Sequence, residues 1–86
     1  MRYPILIEEG SETTAFGVVV PDLPGCFSAG DTLDEAIEAA RDAAAAWIES
    51  ALEHDEPIPR PSSLQEVRKL RGYSGWTAGL IDVDAA

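Results

Sequence analysis

The segment from Thr32 to Glu53, TLDEAIEAARDAAAAWIESALE, constrains the fold more than any other part of the chain. Thr32 and Glu35 make an S/T-x-x-E capping box: Thr32 accepts from the Glu35 amide while the Glu35 carboxylate reaches back to the Thr32 amide. Asp34 and Glu35 also place negative charge at the positive end of the helix dipole. Leu33, Ala36, Ile37, Ala40, Ala44, Trp47, Ile48, Ala51 and Leu52 recur at steps of three and four, an apolar stripe along one face. Glu38, Asp42, Glu49 and Glu53 fall off that stripe. At about 1.5 Å per residue the helix is roughly 30 Å long, enough to cross a small sheet. The spacing predicts one long helix that covers a sheet and buries Trp47.

The flanking segments supply that sheet. Arg2 to Glu8 alternates, with Tyr3, Ile5 and Ile7 on one side and Pro4, Leu6 and Glu8 on the other, which reads as a first strand. Pro4 stands near its start, where a missing amide is tolerated. The polar turn Glu9-Gly10-Ser11-Glu12 leads into a second strand, Thr13 to Val20, which becomes apolar on both faces. Pro21 and Pro24 end it because neither can donate to a ladder, and Gly25 supplies a turn. Cys26 to Ala29 fits a short third strand. After the helix, Pro57-Ile58-Pro59-Arg60-Pro61 forces an extended crossover. Ser63 to Glu66 is a second capping box that opens a short helix ending near Leu70. Trp76 to Val83 is the last strand. The expected order is ββ(β)αβ, an α+β domain with the helix on one face of the sheet. A helical crossover implies that the last strand lies parallel to an earlier one.

An 86-residue chain makes a single domain, residues 1–86, that hides only roughly 60–65% of its unfolded surface. Self-association would help so thin a core, and a homodimer is expected. Sixteen acids against six bases leave a net charge of −10, which disfavours contact with phosphate backbones and suits a basic protein partner. A single cysteine excludes an internal disulfide or a cysteine-based zinc site. The apolar run in MRYPILIEEG is too short for a signal peptide or a membrane span, so a soluble cytoplasmic protein without cofactor is expected.

Few residues suggest chemistry. His54 is the only histidine, so a His-based catalytic pair or multi-His metal site cannot form within one chain. Its place at the helix C-terminus suits capping of the last carbonyls. Cys26 lacks a nearby base and reads as a small buried core residue. A two-metal nuclease would need carboxylates converging from the first strand, the helix and the last strand, for which the chain offers Glu8, Glu35 or Glu38, and Asp82 or Asp84. The stretch Arg2 to Ile7 contains no carboxylate and the helical acids lie on the solvent side, so these acids read as surface charge. The spaced glycines of Gly72 to Gly79 lack the lysine of a phosphate loop and read as turns.

Three blocks carry a resemblance: Pro21-Asp22-Leu23-Pro24-Gly25-Cys26, then Gly30-Asp31-Thr32-Leu33-Asp34-Glu35-Ala36, then Pro57-Ile58-Pro59-Arg60-Pro61-Ser62. In kind, order and spacing the chain resembles the HicB family, antitoxins of HicA–HicB toxin–antitoxin pairs. The resemblance implies a reduced ribonuclease H-like domain that is not an enzyme. It implies a small basic HicA-type partner, a messenger-RNA ribonuclease whose RNA-binding and catalytic face the domain would mask. Asp22, Asp31 and Asp34, around the Pro-Gly loop and the helix N-terminus, are the expected contacts. Family members commonly continue into a helix-turn-helix or ribbon-helix-helix. The 86 residues offer no counterpart, so DNA binding is not carried over. The other function open to such a chain is an orphan HicB-like structural or regulatory module without a toxin.

Overall fold

The computed structural model describes residues 1–84. Its elements are β1 (Arg2–Glu8), β2 (Phe16–Val19), β3 (Phe27–Gly30), α1 (Leu33–Glu53), α2 (Leu64–Val67) and β4 (Thr77–Asp82). The strands form one sheet in the order β3-β2-β1-β4, and every bonded pair is antiparallel. The single domain expected for residues 1–86 is thus described up to its last two residues, which lie outside the described part.

The last strand departs from expectation in its pairing. β4 runs in the same sense as β2, but its hydrogen-bonded neighbour is β1, and that pair is antiparallel. Two connections explain this. α1 carries the chain down the length of the sheet, and the proline-rich crossover with α2 carries it back, so β4 starts level with the end of β1 (Thr77 opposite Ile7). β2 is also shorter than the sequence suggests, because Ser11 donates to the Thr14 carbonyl at 2.8 Å and closes the turn before pairing begins.

Pro4 sits in a strand with neighbours on both sides, and the register shows how. Met1 and Val83 exchange two backbone bonds, at 2.7 and 2.6 Å. Alternation along an antiparallel pair then directs Tyr3, Ile5 and Ile7 towards β4 and turns the Pro4 nitrogen the other way. On that side β2 pairs only with Leu6 to Glu8, so no ladder bond is lost.

α1 packs on the inner face through Ala36, Ala40, Ala44, Ile48 and Ala51, all buried. They meet Tyr3, Ile5 and Ile7 of β1, Val18 of β2, the neighbouring Val20, and Ile81 and Val83. The small alanines let the helix lie close to the strands. At Gly30, where β3 turns into the helix, a Cβ would come within 2.5 Å of the Ala36 amide nitrogen, so only glycine fits. The buried stripe is narrower than the sequence periodicity suggests. Leu33 and Leu52 are exposed, and Trp47 is half-buried at the flank, its Nε1 donating to the Pro24 carbonyl at 3.0 Å. A sheet of four short strands is not wide enough to cover a stripe of that breadth.

The opposite face of the sheet is covered only in part. Pro4, Leu6 and Val67 are buried there, with α2 packed against β1 and β4. The Ser63 capping box is complete, with Ser63 accepting from the Glu66 amide at 3.1 Å and the Glu66 carboxylate accepting from the Ser63 amide at 3.0 Å. At Thr32 the first half forms, but the Glu35 carboxylate reaches the Asp31 amide, one residue before the expected Thr32 amide. Tyr3 Oη donates to the Pro59 carbonyl at 2.6 Å and ties the crossover to the core.

The close helix–sheet approach makes a direct prediction. Ala40→Leu adds bulk where the helix has no room and should lower stability by about 1–3 kcal/mol in urea unfolding, whereas the same change at exposed Ala46 should be close to neutral.

A candidate partner-binding surface at the acidic end

The antiparallel register brings two loops to one end of the sheet. The β1–β2 turn and the β3–α1 turn both lie there, because Gly30 pairs with Phe16 and Gly17 pairs with both Glu8 and Ala29. Between them is a polar hollow of about 330 Å³ lined by Ser11, Glu12, Thr13, Thr14, Ala15 and Asp31. Asp34 and Glu35 follow in the first turn of α1. The chain holds no Lys, Arg or His between Tyr3 and Ala40, so every charge in this region is negative. Arg2 is at the far end of β1 with Asp82 at 3.0 Å, and Arg41 pairs with Glu38 at 2.9 Å.

The three aspartates expected as partner contacts divide between the two ends of β3. Asp31 and Asp34 stand together at the acidic end. Asp22 lies in the loop before β3, and both its carboxylate oxygens are engaged by Ser62, from the backbone N–H at 2.7 Å and the hydroxyl at 2.6 Å. Asp22 therefore pins the crossover to the Pro-Gly loop. That loop is closed by three backbone bonds, Val20 to Cys26, Leu23 to Val20 and Cys26 to Leu23, with Gly25 at a φ of +79°. Burial raises the Tyr3 phenol above its ordinary value, and the Asp22 charge adds to it. Glu12 was absent from the sequence-based set. Its signal was present in the base-free run from Tyr3 to Ala40, but only the hairpin register brings it beside Asp31.

The carboxylates considered for a nuclease do not converge. Glu8 and Asp82 are at opposite ends of the β1–β4 pair, and Asp82 is held below its ordinary value by the Arg2 guanidinium. Among the described residues no group of three or more His, Cys, Asp or Glu is placed to hold a metal ion. Cys26 is buried, and burial pushes its thiol up. His54 is the C-cap of α1, its Nδ1 lying 2.7 Å from the Ser50 carbonyl. No helix among the described residues is long and apolar enough to cross a membrane.

A small α+β domain emerges, a four-stranded antiparallel sheet under one long helix with an acidic end built from two loops. The chain belongs to the HicB-like antitoxin family: the family described as "HicB_like antitoxin of bacterial toxin-antitoxin system" matches residues 3–86. It is 42% identical over 84 residues to an uncharacterized 14.9 kDa protein of Haemophilus phage HP1, covering 98% of this chain. The chain spans 62% of that phage protein. The N-terminal domain of the Burkholderia pseudomallei antitoxin HicB superposes with a TM-score of 0.83 at 33% identity, covering 98% of this chain and 99% of that one. A chain of the HicA3 and HicB3 toxin–antitoxin complex superposes with a TM-score of 0.76 at 31% identity, covering 98% and 99%.

The different surroundings of the aspartates predict different responses. Asp22→Ala should lower stability by about 1.5–3 kcal/mol, the usual cost of losing hydrogen bonds to a charged group. Asp31→Asn should stay within about 0.5 kcal/mol of the parent. Calorimetric unfolding of the two variants separates them. The carboxyls of Glu66, held low by its bonds with Ser63, and of Asp82 should titrate below the ordinary range in NMR. Each is protonated more readily in the unfolded chain. Their stabilising effect is therefore complete above the unfolded value and lost as pH falls through the depressed folded value.

Proposed function

We propose that this chain is the toxin-neutralising domain of an antitoxin, which acts without catalysis by covering the cationic face of a small basic HicA-type ribonuclease. The acidic end is the observation that carries this reading. Glu12 and Asp31 on two adjoining loops, with Asp34 in the first turn of α1, present uncompensated negative charge, and a protein that binds messenger RNA presents the opposite charge. Membership of the HicB-like family and the likeness to a chain of a toxin–antitoxin complex support the same partner. On this reading the acids compete with RNA for the toxin's bases while the body of the domain blocks its catalytic residue.

Asp31 and Asp34 are the first proposed contacts, with Asp22 a separate negative charge at the other end of β3. The net charge of −10 argues against contact of this domain with nucleic acid, and a partner that cuts messenger RNA fits work in the cytoplasm. The reading keeps the reduced ribonuclease H-like description of the fold, which a three-stranded meander followed by a long helix supports.

The test is association with the cognate basic toxin at two salt concentrations. Charge steering predicts that association slows markedly between 0.01 and 0.15 M salt, where the Debye length falls from about 30 to about 8 Å. Glu12→Gln, Asp31→Asn and Asp34→Asn together should slow association roughly tenfold at low salt and flatten that dependence. A folded triple variant that binds and silences the toxin unchanged would remove this end as the contact surface. Absence of any basic toxin that binds the chain would favour the orphan module.

A further inference from the structure

α2 covers only half of the outer face of the sheet. It is four residues long and packs on β1 and β4, which leaves the outer side of β2 and β3 open. Ser28 donates its hydroxyl to the Ala36 carbonyl at 2.8 Å and so faces α1. Its neighbours Phe27 and Ala29 therefore face outward, and the register sets Phe27 beside Val19 and Ala29 beside Gly17. This strip is apolar throughout, with its large side chains at the Pro-Gly loop end. There the chain after α2 forms a wall. Between wall and strip lies a hollow of about 470 Å³ whose lining includes Val19, Leu23, Pro24, Phe27, Leu70 and Tyr73. Phe27 is 70% exposed and Leu70 42%. Tyr73 packs edge to face on Trp76, with ring centroids 5.0 Å apart, which braces the wall.

The rim of this hollow is basic in an otherwise acidic chain. Exposed Arg68, Lys69 and Arg71 lie on either side of Leu70, half of all the bases within four residues. No acid occurs between Glu66 and Asp82. The carboxylates of Asp22 and Glu66, which adjoin the lining in sequence, are already bonded to Ser62 and Ser63. Neither ion pair of the described residues, Arg2 with Asp82 or Arg41 with Glu38, involves the three rim bases. A basic body is repelled here, so this surface cannot serve the partner proposed for the acidic end.

We propose that the hollow takes a large apolar side chain, leucine or phenylalanine, from an acidic segment of a further partner protein, whose carboxylates lie against Arg68, Lys69 and Arg71. The anchor removes Phe27 and Leu70 from water and supplies most of the binding, while the carboxylates select the segment and speed its arrival. The hollow opens along the strip, which suits a side chain carried on a larger body better than a small molecule that must be enclosed. Beyond Phe27 the strip continues as Ala29 and Gly17, where no bulk obstructs the rest of the segment.

NMR titration of the labelled chain with a synthetic peptide, glutamates around a central Leu-Phe pair, tests this without any toxin. Amide resonances of Val19, Phe27, Leu70 and Tyr73 should shift together, with a dissociation constant below about 1 mM that rises with salt. The same peptide with Ala-Ala at its centre, or with lysines for glutamates, should bind at least roughly tenfold more weakly. Phe27→Ala, and separately Lys69→Glu with Arg71→Glu, should each raise the dissociation constant at least about fivefold with an unchanged far-UV circular dichroism spectrum. Glu12→Gln with Asp31→Asn should leave peptide binding as it is, so this surface and the acidic end succeed or fail independently. The proposal is overturned if these resonances do not move, if both rim variants bind like the parent, or if the Ala-Ala peptide binds equally well. It is likewise overturned if the hollow is closed by a second copy of the chain, or if it is filled by vesicles of anionic lipid in preference to the peptide.

Discussion

The close contact between the alanine face of α1 and the inner face of the sheet is the constraint on which the rest depends. Ala36, Ala40 and Ala44 are fully buried against the strands, and Gly30 gives the strand-to-helix turn no room for a side chain. Contact at this distance lets one helix close most of a thin core, with Tyr3, Ile5, Val18 and Ile81 beneath it. It also fixes where everything else goes. With one face taken by α1, the proline-rich crossover must pass round the end of the sheet, where Tyr3 and Asp22 hold it at Pro59 and Ser62. Only then can α2 reach the other face and β4 enter beside β1.

The same arrangement sorts the charges. Strand direction puts the hairpin and the start of the helix at one end of β3, and the Pro-Gly loop with the chain after α2 at the other. Negative charge collects at the first end, and half of the chain's bases follow α2. The acidic end is therefore free of any base supplied by its own two loops.

Local chemistry made much of this legible. Thr32 and Ser63 were readable as caps because a hydroxyl three residues before a glutamate has a specific use at a helix start, and both accept the expected amide. The alternation of β1 and the small buried Cys26 were equally local. Pairing was not. Nothing in Thr77 to Asp82 states that β1 is its neighbour, because strand order follows from how far the crossover carries the chain. Leu33, Leu52 and Trp47 were over-read for a related reason: periodicity marks a face, whereas burial depends on the width of what covers it. Asp22 looked like a member of one acidic group because it is near Asp31 in sequence. Its bonds to Ser62 span forty residues of chain, and β3 separates it from the others.

NMR titration of the labelled chain with the basic HicA-type partner proposed for it tests the central claim most directly. The account predicts that amide resonances of Ser11 to Ala15 and Asp31 to Glu35 shift together with one dissociation constant, and that the shifts weaken as salt rises. Shifts confined to α2 and β4, with the hairpin and the first turn of α1 unmoved, would contradict it.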